Sequence, residues 1–319
     1  MMTKEAVLSP KWPRPRHTVF GSHGRKRTNQ ACFTTGHLTY REEKVMSITS
    51  RTCAVVCAAM TVCWSSGLFA AAIPYNAPGD VYTQNFDMLP NAPENTSLQD
   101  TNPWVQDVTL TDWQIWHSNF ASPEGGADGH QRFRIGRGNS GTGSMYSFGS
   151  SGSTDRALGC VSSSVIGQGR WGTRFVNNTG ITLTEFTLSY VGEQWRDGGA
   201  AGGSAAQTIV FGYSFDATDV GHGTFINVPE LNFTSPVFGA ASGVALDGNA
   251  AANRTLISFT VTGLEWLPGT ELWIRWNDPD HDGNDHALAV DDLSFSAVPE
   301  PATLGLLGLA VAGLLIRRR

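Results

Sequence analysis

The sequence predicts an all-β fold: a two-sheet sandwich, jelly-roll-like, followed by a single hydrophobic helix at the C-terminus. Three observations carry that expectation. Between residues 73 and 297, about ten short runs alternate apolar and polar side chains at period two, the spacing of a strand with one buried face. Gly, Asn, Asp and Pro separate the runs, and these are the residues that end strands and build turns. No stretch of this region has a 3.6-residue apolar period, and nothing repeats at the roughly 40 to 50 residues that would mark a propeller.

In chain order, residues 1–45 are basic and mix Pro, His, Gly and Arg without apolar periodicity. From Met46 the chain reads Met-Ser-Ile-Thr-Ser-Arg51, then an apolar stretch from Cys53 to Phe69, then Ala70-Ala71-Ala72. A basic start, a greasy middle and small residues at a cleavage point make a signal peptide over 46–72. The signal peptidase cut is placed after Ala72, with Ala70 the alternative. A signal peptide that begins at residue 46 makes residues 1–45 an upstream leader from a start codon placed too early, with Met46 the initiator. Arg41-Glu42-Glu43-Lys44 agrees, because Glu and Lys codons contain only purines, as ribosome-binding sites do. The rival is a basic arm for nucleic acid.

The body, residues 73–297, is a β-sandwich domain long enough for a large core. Its early strands are expected over 81–86, 113–117, 131–135, 144–148 and 170–176. The clearest alternation, Ile181 to Val191, sets Ile181, Leu183, Glu185, Thr187 and Ser189 on one face and Phe186, Leu188 and Tyr190 on the other. Strands at 207–215, 254–264, 271–276 and 287–297 follow.

Charge narrows the function. Residues 73–299 hold nine arginines, no lysine and 24 acidic residues, a net charge near −15. Such a surface repels nucleic acid and anionic membranes and suits cations. Cys160 is the one cysteine of the body, so no internal disulfide supports it, and a small buried thiol is its ordinary role.

The tail reads Val298-Pro299-Glu300-Pro301, an apolar run from Ala302 to Ile316, then Arg317-Arg318-Arg319. Fifteen helical residues reach about 22 Å, short of the roughly 20 residues of a full span. Snorkelling arginines make up the difference and hold that end on the cytoplasmic side. Residues 298–319 resemble the PEP-CTERM sorting signal of Gram-negative bacteria. The resemblance implies an exported protein, held transiently in the inner membrane through residues 302–316. It also implies processing by an exosortase near Pro299, Glu300 and Pro301, and a destination at the cell surface or in an exopolysaccharide biofilm matrix.

Several stretches of the body resemble shared motifs of an uncharacterised family of secreted bacterial β-sandwich proteins, many with the same tail. They are Gly138-Asn-Ser-Gly-Thr-Gly143, Tyr146-Ser-Phe-Gly149, Asp155-Arg-Ala-Leu-Gly159, Asn177-Asn-Thr-Gly180, Gly192-Glu-Gln-Trp-Arg196 and residues 275–292. The resemblance supports the extent of the domain and its secreted setting, and supplies no catalytic residue.

Two constellations carry chemistry. In the first, Asp278, Asp280 and Asp282 precede Gly283, giving the opening D-x-D-x-D-G of an oxygen-rich calcium loop. Position twelve is Ala289 where an EF-hand needs Glu, and Pro279 is atypical. The loop is therefore expected to hold calcium in the manner of a clip between strands, with Asp285 or Asp291 completing the shell. A solvated acidic turn is the plain alternative, and His281 and His286 admit a transition metal. Of Asp291 and Asp292, alternation turns one inward, where it needs Arg275 or a metal as partner. In the second constellation, Glu193, Gln194, Trp195 and Arg196 follow the longest strand, and in an exposed turn they could stack on and hydrogen-bond a sugar. The preferred reading is a strand end whose Trp195 plugs the sandwich beside a Glu193–Arg196 pair.

No HExxH, P-loop or nucleophile elbow is present. With 24 acids, a glycosidase-like pair arises by chance. The sequence therefore reads as a non-enzyme that binds or scaffolds extracellular polysaccharide. Its rivals are a structural or adhesive matrix protein without a sugar site, and a secreted polysaccharide hydrolase or lyase.

Overall fold

The computed structural model describes residues 72–94, 104–119 and 133–300. The leader, nearly all of the signal peptide and the apolar segment 302–316 lie outside the described residues. Within them, no helix is long and apolar enough to cross a membrane.

Fifteen strands form two sheets, and the only helices among the described residues are two short 3-10 turns. The strands are β1 (Ile73–Tyr75), β2 (Tyr82–Gln84), β3 (Trp113–His117), β4 (Phe133–Gly136), β5 (Ser144–Phe148), β6 (Ala157–Val161), β7 (Gly169–Asn177) and β8 (Leu183–Asp197). They continue as β9 (Thr208–Ser214), β10 (Ile226–Asn227), β11 (Phe233–Thr234), β12 (Val244–Ala245), β13 (Arg254–Trp266), β14 (Glu271–Asp278) and β15 (Ala287–Val298). In the first sheet β7, β14 and β9 are central, with β1 and β3 along one edge and β10 and β11 along the other. The second runs from β13 and β12 through β8, β15, β6 and β5 to β4, with β2 also on β15. Pairing is antiparallel except for β1 with β7 and β4 with β5. This is the expected sandwich.

The core between the sheets is aromatic. Phe175 stacks on Phe295 at 4.2 Å between centroids, and Trp113, Trp171, Trp276, Phe186 and Tyr190 surround them. Offset and edge-on ring contacts add to the area that these side chains bury. Both outer faces carry further apolar clusters. Tyr146, Phe148, Trp195, Ala287 and Ala289 pack on the back of the second sheet, and Trp116, Trp273 and Val220 on the back of the first.

That double burial accounts for what alternation missed. β6 is buried at every position, so it shows no polar face. β8 runs on to Asp197, past the expected end at Val191, because the outer cluster gives its last residues apolar company. Leu183, assigned to the face opposite Phe186, joins the same core. Opposite it the register of β13 on β8 slips between Thr262 and Trp266, with the extra residues in β13.

Candidate functional site

The two constellations meet at one end of the sandwich. β14 ends at Asp278 and β15 starts at Ala287, and the loop between them folds against the end of β8. Asn284 donates its side-chain amide to the Gly199 carbonyl (2.9 Å). Gln207 Nε2 donates to the Asn284 carbonyl (3.0 Å), and the His286 N–H donates to Gln207 Oε1 (2.6 Å). Gly198 has no room for a side chain, since a Cβ there would sit 2.3 Å from the Asn284 carbonyl oxygen. Gly283, at φ +94°, makes the turn that a β-carbon would strain.

A polar cavity of about 530 Å³ opens here, lined by Ser162, Ser163, Arg196, Asp280, His281, Asp282 and Asp285 among others. Asp280 and Asp282 are exposed on its rim, whereas Asp278 and Asp285 are buried beneath it. Asp278 Oδ2 has no hydrogen-bond partner. Burial, reinforced by the charge of Asp285, pushes the Asp278 carboxyl up to about 8. Asp280 is raised for the same two reasons. His281 Nδ1 lies 3.6 Å from Asp285 Oδ1 and 4.0 Å from Asp278 Oδ1, and its contact with Asp285 raises the imidazole above its ordinary value.

The histidines are already engaged. The Thr208 N–H donates to His281 Nε2 (3.3 Å), which turns the Nδ1 proton toward the two carboxylates. Gln194 is oriented by Val237, whose N–H donates to its Oε1 (2.9 Å) and whose carbonyl accepts from its Nε2 (2.7 Å). That Nε2 also faces His286 Nδ1 at 3.2 Å, leaving the His286 Nε2 proton toward Asp197 Oδ1, 3.3 Å away. One nitrogen of each ring thus serves the fold, while His281 Nδ1 and His286 Nε2 face carboxylates without a hydrogen bond; the other groups around the cavity are oxygens: carboxylates, serine hydroxyls and carbonyls. That set suits a hard cation such as calcium better than a transition metal. Among the described residues, no three His, Cys, Asp or Glu side chains already converge on one point as a metal centre.

The other expected residues sit elsewhere. Asp291 is on the back of the second sheet, away from the loop acids. Burial first, then the charge of Glu193, pushes it up to about 8, and its other charged neighbours are Asp292 and Asp155. Its Oδ1 accepts from the Asp292 N–H (2.7 Å) at a bulge where Asp292 takes φ +47°. Arg275, the expected partner of an inward aspartate, is instead on the other sheet, 3.6 Å over the Phe225 ring.

Glu193, Gln194 and Trp195 do not form an exposed turn. They are strand residues and fully buried. Trp195 lies parallel to Phe148 and donates Nε1–H to Glu193 Oε2 (3.0 Å), so Glu193 pairs with tryptophan, not with Arg196. Burial, against that hydrogen bond, raises Glu193 to about 7. The β8–β15 register slips beside Trp195, and Arg196 reaches the cavity while donating Nη1–H to the Gly138 carbonyl (3.0 Å). All eight body tryptophans are buried, which answers whether they fill the core or line a groove: they fill the core. The sequence reading missed Ser162 and Ser163, which the β6–β7 turn brings to the cavity. It also missed Phe238, 58% exposed beside the clamped Val237. Cys160 is buried, and burial pushes its thiol up, away from nucleophilic use.

Comparison with known proteins bears first on the tail. The PEP-CTERM protein-sorting motif matches residues 297–319. The chain carries a PEP-CTERM sorting signal. The signal marks an exported protein, anchored at its C-terminus before exosortase processing. No curated protein matches the chain. Among solved structures, the body is similar to the enzymatically active domain of bacteriophage CBA120 tailspike protein 4, at 7% identity and TM-score 0.30. That match covers 59% of this chain and 20% of the tailspike chain, about a fifth of its length. A cleaved adhesin domain of Lys-gingipain overlaps at 13% identity and TM-score 0.33, covering 68% of this chain and 99% of its own. A family 22 carbohydrate-binding module from Clostridium thermocellum overlaps at 9% identity and TM-score 0.30, covering 59% and 87%.

Proposed function

We propose that the protein acts at the cell surface or in the extracellular matrix, where its sandwich binds or scaffolds extracellular polysaccharide without transforming it. One observation carries the reading. An exported chain presents, at the end of a rigid sandwich, an open polar cavity lined by serine hydroxyls, a guanidinium and carboxylates. Hydroxyl-rich ligands are held by such convergent polar groups. Phe238 supplies an exposed ring for a sugar C–H face, on the segment that Val237 ties to Gln194. Calcium is the proposed cofactor: Asp278, Asp280, Asp282 and Asp285 would supply its oxygens, and the unpartnered Asp278 Oδ2 supports that fit.

A glycan array probed with the exported protein, with and without EDTA, tests the reading. Binding to a defined acidic or neutral polysaccharide, weakened by EDTA, is the expected result. Silence across the array favours the second reading, a matrix scaffold without a sugar site, which the burial of every body tryptophan supports. Release of reducing or unsaturated ends from the host's own exopolysaccharide would instead establish a hydrolase or lyase.

A further inference from the structure

The edges of the two sheets differ in one respect. At the edges, β1, β3, β4, β10, β11 and β12 have between two and five residues, whereas β13 has thirteen. Short edge strands are how sheets avoid pairing with other chains. β13 pairs with β8 along one side, and no described strand pairs with its other side. The nearby 3-10 turn Pro229–Leu231 sinks Leu231 into the core and adds no ladder.

Other guards are missing as well. Thr255 to Leu264 contains no charged residue and no proline, and the body has no lysine, a residue that blunts edges elsewhere. The one irregularity, at Gly263, lies near the far end and leaves Arg254 to Thr262 in unbroken register with β8. Leu256 is 71% exposed, and Phe259 is partly exposed at the margin of the core. The only charges stand at the two ends, Arg254 and Glu265, both exposed.

We infer that β13 is a self-association edge, pairing antiparallel with β13 of a second copy so that each sandwich extends the other's sheet. Antiparallel pairing about a two-fold axis near Phe259 brings the Arg254 end of each strand beside the Glu265 end of its partner. Opposite charges then meet at both ends, and like charges meet nowhere along the ladder. A parallel arrangement would set Arg254 beside Arg254. The added strand also covers Leu256 and Phe259. This inference stands apart from the glycan reading, since the edge does not line the cavity.

Sedimentation equilibrium of the exported protein is the test. A dimer is expected at low micromolar concentration, with dissociation at least about tenfold easier for Leu256→Lys combined with Ser258→Lys. Neither residue is buried, so at concentrations low enough for both proteins to be monomeric the melting temperature of that variant should equal the wild-type value. Glu265→Arg should weaken the dimer by a similar factor, and adding Arg254→Glu should restore it. Hydrogen exchange at the β13 amides that point away from β8 should be slow in the dimer and fast in the lysine variant. A monomer at about 100 µM, or a dimer indifferent to both lysines, overturns the proposal. So does a monomer in which the β13 amides pointing away from β8 stay protected, which would assign the edge to another segment of the same chain.

Discussion

Two buried acidic groups lie within the same sandwich and differ in access. On the back of the second sheet, Glu193 and Asp291 are sealed beneath Trp195 and its neighbours. At the end of the sandwich, Asp278 and Asp285 are as deeply buried, yet Asp285 lines a cavity that opens between Ser163, Arg196 and Asp282, and Asp278 stands on the same loop within 4.0 Å of the cavity-lining His281. Desolvation raises Asp278 and Asp291 alike, to about 8. The lesson is that a displaced carboxyl does not mark a site by itself. Behind Trp195 it marks a carboxyl raised by its packing; at the acidic loop it marks one that the proposed cation would ionise.

The largest expected effect falls on the sealed side. Trp195→Ala removes a fully buried indole, its stack on Phe148 and the hydrogen bond to Glu193. It should cost about 3–5 kcal/mol in urea denaturation. A loss under about 1 kcal/mol would mean that the outer cluster is not a true core.

Next comes pH. The folded values of Glu193 and Asp291 lie above the ordinary carboxylate range, so the native state keeps protons that the unfolded chain has released. Stability should therefore be full below about pH 4 on account of this pair, and fall as pH rises toward about 8. A loss of about 2 kcal/mol across that window is expected after allowance for coupling. Glu193→Gln with Asp291→Asn should remove this pair's share of the slope and leave the share of Asp278. A slope unchanged by the double variant would contradict the sealed pair.

Calcium should separate the two groups. Millimolar calcium should raise the melting temperature by about 3–5 °C. Asp278→Asn or Asp285→Asn should abolish the shift, and Asp291→Asn should leave it intact. A shift that depends on Asp291 would move the cation to the back of the sheet. The smallest effect on stability belongs to Phe238→Ala, which should leave the melt unchanged and weaken glycan binding about fivefold.

Much of the fold was legible because period-two alternation survives wherever one face of a strand meets the core, as at Phe186, Leu188 and Tyr190. It fails where loops bury the second face, which is why β6 went unseen and β8 was cut short. The acidic loop was legible from its spacing alone. The meeting of that loop with Arg196, Ser162 and Ser163 was not, because it depends on three connections closing over one end of the sandwich. The plugging role of Trp195 was legible at the strand end, but its partner was not: Glu193 is buried with it and accepts the indole hydrogen bond, in place of a pair with Arg196.

The most direct test compares adjacent residues of one strand. Arg196 lines the cavity and Trp195 is shut away from it, so their substitutions should part company in a calorimetric titration with the glycan that the array selects. Arg196→Ala is expected to weaken binding about tenfold while Trp195→Phe, which keeps the packing, leaves it unchanged. Tight binding by Arg196→Ala together with lost binding by Trp195→Phe would put the ligand on the back of the sheet and contradict the account.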